Sequence, residues 1–319
     1  MLNAIDYLSS LNYGKELITA ISDHTGHEYT SLWISNAKAN REIVKKCGWV
    51  ASDLQDAHQG KTAIMLGASP AITKQFETLD GIQSDPDFIL ITVHSGLKIL
   101  LENKIFPKYC MIADAKLEVK RFWDDLDIEL TKSVTLIANV CTHPDLLKMW
   151  QGPIKFITYL SSDTKLDKKF KKWFNPINGI GEGFYSLSSQ YNSGVAIAFL
   201  IFRCNPIIFV GSESSFPDKE GTYYPNRKDE KDNYERKAHL DIYGNVVYTS
   251  YGLYSSKLVL EDFLGKLSGE GWFFNCTEAG IFGVSKKHGN LPWIHQFKLK
   301  TGIAQARSIM RTGKPFYLS

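Results

Sequence analysis

Ligand-spaced cysteines are missing from this chain. The five that occur (Cys47, Cys110, Cys141, Cys204 and Cys276) form no CxxC pair. Their odd number and apolar neighbours argue against a disulfide framework and fit reduced thiols in a cytoplasmic protein. A large charge of one sign is missing too. Thirty-seven Lys and Arg residues nearly balance thirty-four Asp and Glu residues, so no general polyanion-binding surface and no nucleic-acid partner are expected. The strongest basic run, Lys168-Lys169-Phe170-Lys171-Lys172-Trp173, reads as a solvated helix face. No apolar run approaches the roughly 18 residues of a membrane span. The start, Met1-Leu2-Asn3-Ala4-Ile5-Asp6, lacks a basic segment followed by an apolar one, so no secretory leader is expected. There is no internal repeat and no low-complexity tract.

What is present is enough apolar residue, 44% of 319, to bury a substantial core. Residues 1–60 read as a helical arm, with Leu2, Ile5, Leu8 and Leu11 at three-residue spacing. From Thr62 the pattern alternates short apolar runs with helical stretches. Strands are expected at Ala63–Leu66, Phe88–Val93, Tyr109–Ala113, Val134–Val140, Ile154–Tyr159, Ile207–Val210 and Trp272–Cys276. Helices are expected at Ala71–Leu79, Gly96–Glu102, Val195–Phe202 and Ser255–Lys266. That alternation specifies an α/β fold with a mainly parallel sheet covered on both faces. The polar stretch 212–245 breaks the rhythm and reads as an irregular lid. Residues 61–285 then form the main domain, and 286–319 a C-terminal extension with a helix near Ile303–Met310.

Ligands of open parallel sheets bind at the carboxyl ends of strands. Those ends carry Gly67-Ala68-Ser69, His94-Ser95, Asp114, Asn139 with Thr142-His143, Ser161-Ser162-Asp163, and Gly211-Ser212-Glu213. The turn Gly67-Ala68-Ser69-Pro70 is neither a Walker motif nor GxGxxG. Ser69 can instead cap a helix that Pro70 begins, offering N–H groups to a phosphate. Asn192-Ser193-Gly194 repeats the logic, with Ser193 as the cap. The lid adds Tyr223, Tyr224, Arg227, Tyr234, Arg236 and His239, residue types suited to a leaving phosphate and to proton transfer. No HxH, HExxH or DxD pattern accompanies the eight histidines, so no dedicated metal site is signalled. Asp114 suits either a lone carboxylate contact to Mg²⁺ or a ribose or sugar hydroxyl.

The ordered set Gly67-Ala68-Ser69-Pro70, Ala113-Asp114-Ala115, Tyr191-Asn192-Ser193-Gly194 and Asn205-Pro206-Ile207-Ile208-Phe209-Val210-Gly211 resembles the central domain of the Maf (motility accessory factor) proteins. So do Asp241 to Thr249 and Asn275 to Gly283. The same domain family includes 6-hydroxymethylpterin diphosphokinases of the MptE type. The resemblance implies a Rossmann-like fold similar to bacterial sialyltransferases. It implies transfer of a nonulosonic acid from a CMP-activated donor to a protein or glycan hydroxyl, flagellin among such acceptors, by an inverting displacement that requires no cofactor or metal. Gly67, Ala68 and Ser69 would lie against the nucleotide phosphate. His94, Ser95 and Asp114 fall where sialyltransferases carry nucleotide-contacting asparagines. Asn192, Ser193 and Gly194 would contact the donor, with Gly211, Ser212 and Glu213 opposite. Tyr223 or Tyr224 would stabilise the departing phosphate, and His239 would be the base. Two alternatives stay open: a Mg²⁺-dependent diphosphokinase acting on a pterin alcohol, and a non-catalytic nucleotide- or glycan-binding module.

Overall fold

A computed structural model describes residues 29–160, 164–174, 184–185, 187, 189–220, 224, 236–285 and 289–316. Its centre is an eight-stranded sheet, parallel throughout. The strands are β1 (Thr62–Leu66), β2 (Phe88–Val93), β3 (Tyr109–Ile112), β4 (Thr135–Asn139), β5 (Ile154–Ile157), β8 (Ile207–Val210), β11 (Phe273–Asn275) and β12 (His295–Gln296). They lie in the order β12-β11-β8-β1-β2-β3-β4-β5. Two short parallel strands, β6 (Tyr159–Leu160) and β7 (Phe184–Tyr185), pair apart from it. So does an antiparallel hairpin of β9 (Arg236–Leu240) and β10 (Val246–Ser250).

The central strands TAIML, FILITV and IIFV are buried at every position. A parallel strand with helices on both faces needs such a continuous apolar run. Side-chain alternation sorts these runs onto two faces. Ala63, Met65, Ile89, Ile91, Ile207 and Phe209 join one core, whereas Ile64, Leu66, Leu90, Ile208 and Val210 join another. The first is covered by the helix Gln190–Ala196, which runs on as a π-helical turn Ile197–Ile201, and by the helix Tyr251–Lys266. The second lies under the helices Phe76–Ile82 and Leu299–Thr312. A third core, at the β3–β5 end, takes in Ala37, Val44 and the wall residues Phe122 and Trp123.

The helix over 29–39 is tied to the sheet by two buried asparagines. Asn36 donates to the carbonyls of Ala115 and Cys141, and Asn40 to those of Val140 and Thr142. The rest of the arm, residues 1–28, falls outside the described residues. Beyond residue 285, β12 pairs with β11 and the last helix buries Leu299, Ile303, Ala306 and Ile309, so the extension completes both a sheet edge and a core.

The expected strand Ile154–Tyr159 stops at Ile157, Tyr159 passing to a separate pair, and two further segments differ. The helix after β1 is a 3-10 stretch, Pro70–Gln75, before it becomes α-helical at Phe76. Residues 236–245, read as irregular lid, are a strand and its turn. Asp241 caps that turn by accepting from the N–H groups of Tyr243 and Asn245, both at 2.8 Å. The hairpin docks through paired N–H and C=O groups of Phe216 and Tyr248, with Arg236 over the Phe216 ring. Among the described residues no helix is long and apolar enough to cross a membrane.

Candidate functional site

β1 has β2 on one side and β8 on the other. The chain steps outward from β1 to β5 and later returns beside β1, so strand order reverses between β1 and β8. Such a reversal opens a crevice beyond the carboxyl ends of the strands. A cleft of about 410 Å³ lies there, within the roughly 300–1,000 Å³ of small-molecule sites. Its floor is Gly67 and Ala68 after β1 and Gly211 and Ser212 after β8. His94, Ser95, Asp114 and the start of the helix Gln190–Ala196 form one side. Phe122, Tyr224 and the helix residues Leu253, Ser256 and Lys257 close it.

Glycine is required where the two floor turns meet. A Cβ on Gly67 would fall onto the carbonyl oxygen of Gly211 and 2.8 Å from its carbon. Gly211 itself takes φ +68°, the left-handed region that favours glycine.

Of the expected site residues, Gly67, Ala68, His94, Ser95, Asp114, Asn192, Gly211, Ser212 and Tyr224 line this cleft. Ser69, Ser193, Gly194, Glu213 and His239 are not among its lining residues, and each has a physical reason. Ser69 is fully buried and its hydroxyl forms no cap bond. The N–H of Ala71, one of those expected to meet a phosphate, donates instead to the buried Glu213 carboxylate at 2.6 Å. The protein thus supplies its own acceptor to that helix start. Ser193 is not the cap of its helix. Ser189 is, accepting from the Asn192 N–H at 3.1 Å, and the Ser193 hydroxyl donates back to the Ser189 carbonyl. Gly194 serves packing, since a Cβ there would meet Met65 and Met111. His239 sits on β9 beside Tyr254. Tyr223 lies outside the described residues.

Burial raises the Glu213 carboxyl above its ordinary range, and the Ala71 N–H only partly opposes this. An acid with a raised folded-state pKa contributes stability that is complete below the unfolded pKa and is lost as pH rises through the folded one. Glu213→Gln keeps an acceptor for Ala71 and removes that titration. Urea melts across the mildly acidic to neutral range should therefore show a shallower decline with pH for the variant than for the wild type. Parallel slopes would refute the assignment.

The fold also brings into the cleft several residues to which no site role is assigned from the sequence. Tyr191 donates to the Met65 carbonyl at 3.0 Å and shares a hydrogen bond with the Ser212 hydroxyl, and burial pushes its phenol pKa up. Gln190 bridges two side chains: its Oε1 meets His94 Nδ1 at 2.9 Å and its amide donates to Asp114 Oδ2. Arg121 reaches over Phe122, whose ring meets both His94 and Tyr224 edge-on. Lys257 contributes a buried cation, held by Glu261 and the Val284 carbonyl. Among the described residues, Asp114 is the one carboxylate lining the cleft. The signal for Gln190 lay in its place within the first turn of a helix that meets the strand ends.

A family profile decides the kinship: that described as 6-hydroxymethylpterin diphosphokinase MptE-like matches residues 34–219, more than half of the chain. The chain belongs to the MptE-like family. A solved structure with the same fold is that of the Maf glycosyltransferase from Magnetospirillum magneticum AMB-1. It aligns with a TM-score of 0.58 at 15% identity over 82% of this chain, which corresponds to 39% of the Maf chain. No curated protein matches this MptE-like chain in sequence.

Proposed function

We propose that this MptE-like chain is a glycosyltransferase that moves a nonulosonic, sialic-acid-like sugar from a CMP-activated donor to a hydroxyl of a protein or glycan, flagellin being one acceptor class. The observation that carries the reading is the cleft at the strand-order reversal, with Ser, His, Asp and Arg side chains among its lining, on a fold shared with a Maf glycosyltransferase. The lining supports it chemically. Tyr224 and Phe122 offer an aromatic wall for a base or sugar ring, Ser95 and Ser212 offer hydroxyls, and Arg121 brings positive charge toward a phosphate and a sugar carboxylate. Displacement of the nucleotide at the anomeric carbon inverts that centre in one step and needs no covalent intermediate. Tyr224 is an aromatic lid residue at the cleft, and we assign it to the departing phosphate.

The family description favours a second reading, pyrophosphoryl transfer from ATP to a hydroxymethylpterin. That chemistry relies on Mg²⁺, commonly held by carboxylates together with substrate phosphates. Among the described residues the cleft offers Asp114 as its only lining carboxylate, and one of its oxygens already accepts from Gln190. A Mg²⁺ here would depend on Asp114 alone and on the substrate phosphates, and no step is routed through one.

The test is incubation with CMP-sialic, CMP-pseudaminic and CMP-legionaminic acids, following CMP release and sugar transfer. Turnover with at least one donor in the presence of a chelator is the expected result. CMP binding without turnover would make the chain a binding module. AMP release that needs ATP, Mg²⁺ and a hydroxymethylpterin would replace the transferase reading with the diphosphokinase one.

A further inference from the structure

The geometry points to His94, oriented by Gln190 and Asp114, as the proton acceptor of this cleft. The inference rests on the transferase reading and replaces His239, which does not line the site.

The proton positions on the His94 ring follow from its partners. Asp114 Oδ2 can pair only with a donor, so the Gln190 amide must turn its NH₂ toward the carboxylate. Its Oε1 then faces His94 Nδ1 at 2.9 Å and requires a proton there. A neutral His94 therefore carries its hydrogen on Nδ1 and keeps a lone pair on Nε2. That nitrogen is buried, has no hydrogen-bond partner among the described residues and stands 3.6 Å from Asp114 Oδ2.

The ring cannot turn freely to escape this arrangement. Phe122 meets it edge-on at 5.1 Å, and Gln190 holds its Nδ1; Trp123 Nε1 fixes the backbone there by donating to the His94 carbonyl at 3.0 Å. Each element packed on the ring presents a defined charge. Asp114 comes from the end of β3 and neutral Gln190 from its helix. Arg121 acts from across Phe122, and Lys98, one turn along the His94 helix, is paired with Glu102. The carboxylate that stands beside Nε2 is Asp114.

The step balances without a further reactant. The acceptor O–H bond breaks and its proton passes to His94 Nε2. The oxygen forms the new bond to the anomeric carbon as the bond to the nucleotide phosphate breaks, and the phosphate leaves with the electron pair. His94 is the catalytic residue in this scheme, and Gln190 and Asp114 are positioning residues.

The closing experiment combines three measurements on the full chain. Nitrogen-15 NMR of the wild type should show His94 as the Nδ1–H tautomer at alkaline pH, and the Nε2–H tautomer would overturn the proposal outright. His94→Ala and the size-retaining His94→Gln should lower kcat by about 10²–10⁴-fold while leaving the Kd for CMP within about threefold. Added imidazole should restore activity to His94→Ala, and the acid limb of the wild-type pH–rate profile should be absent from His94→Gln. Asp114→Asn should lower kcat less than loss of the ring does. An active wild type whose two His94 variants keep kcat within about threefold would overturn the role of His94 and leave the transferase reading standing. Loss of CMP affinity in step with kcat would also overturn it, by showing a binding role. A wild type inert toward every CMP-sugar would remove the transferase reading, and this assignment with it.

Discussion

Gly67→Ala is expected to destabilise the fold by about 3 kcal/mol or more, at or above the high end of overpacking, and to lower Tm by on the order of 10 °C. The reason is that backbone meets backbone. The new Cβ would overlap the Gly211 carbonyl, which also accepts from the Ser69 N–H, while the Gly67 N–H is fixed to Val210 at 2.8 Å. No side-chain rotation relieves such an overlap, so β1 and β8 must separate at their carboxyl ends. The control is Gly81→Ala. Gly81 lies in the helix Phe76–Ile82, where an added methyl group would meet nothing within 4 Å, and alanine there should be neutral or stabilising by up to about 1 kcal/mol. Thermal melts of the two variants that coincide would show that the floor turns yield and that their close approach constrains nothing.

Lys257→Met should cost about 3–5 kcal/mol, the usual result of breaking a buried ion pair from one side. Lys257 is 3% exposed and Glu261 5%. The ammonium donates to Glu261 Oε2 and to the Val284 carbonyl, each at 2.8 Å, and Glu261 Oε1 accepts from the Gly283 N–H. Burial already raises the Glu261 carboxyl, with Lys257 opposing that rise. Removing the cation raises it further. The folded variant then prefers the protonated acid, so its stability is fullest below the unfolded pKa and drains away as pH climbs through the folded one. Urea denaturation at about pH 5 and about pH 8 should show the larger deficit at the higher pH. The double variant Lys257→Met with Glu261→Gln should recover much of the loss, because it leaves no buried charge and keeps an acceptor for Gly283. A deficit independent of pH would mean that packing, and not charge, is what Lys257 supplies.

The parts of this molecule that can be read from sequence are those fixed by local pattern. β2 and β8 have the expected bounds, because apolar runs such as FILITV and IIFV have one natural place in a parallel sheet. β9, with the sequence RKAHL, carries no alternating apolar signal and exists through its ladder with β10. β12 is two residues long and follows from its pairing with β11. The cleft was legible to the extent that strand ends carry it. Whether a given N–H is available there was not. That depends on Glu213 reaching Ala71 and on Ser189, one turn earlier than the expected cap, taking the Asn192 N–H. Lys257 is invisible in the sequence for the same reason, since its helix lies far along the chain from β1 and only the packed structure places it at the site.

The seating of β8 beside β1 bears on how the molecule comes into being. The two strands belong to opposite ends of the family-matched region, and their pairing is parallel and non-local. Contacts of that kind carry a large loop-closure cost and slow folding. The cleft floor is made of the two turns that this pairing brings together, so the binding crevice depends on it. A ligand held there stabilises only the completed fold. Occupancy of the crevice and protection of the β1–β8 amides from hydrogen exchange should therefore rise together.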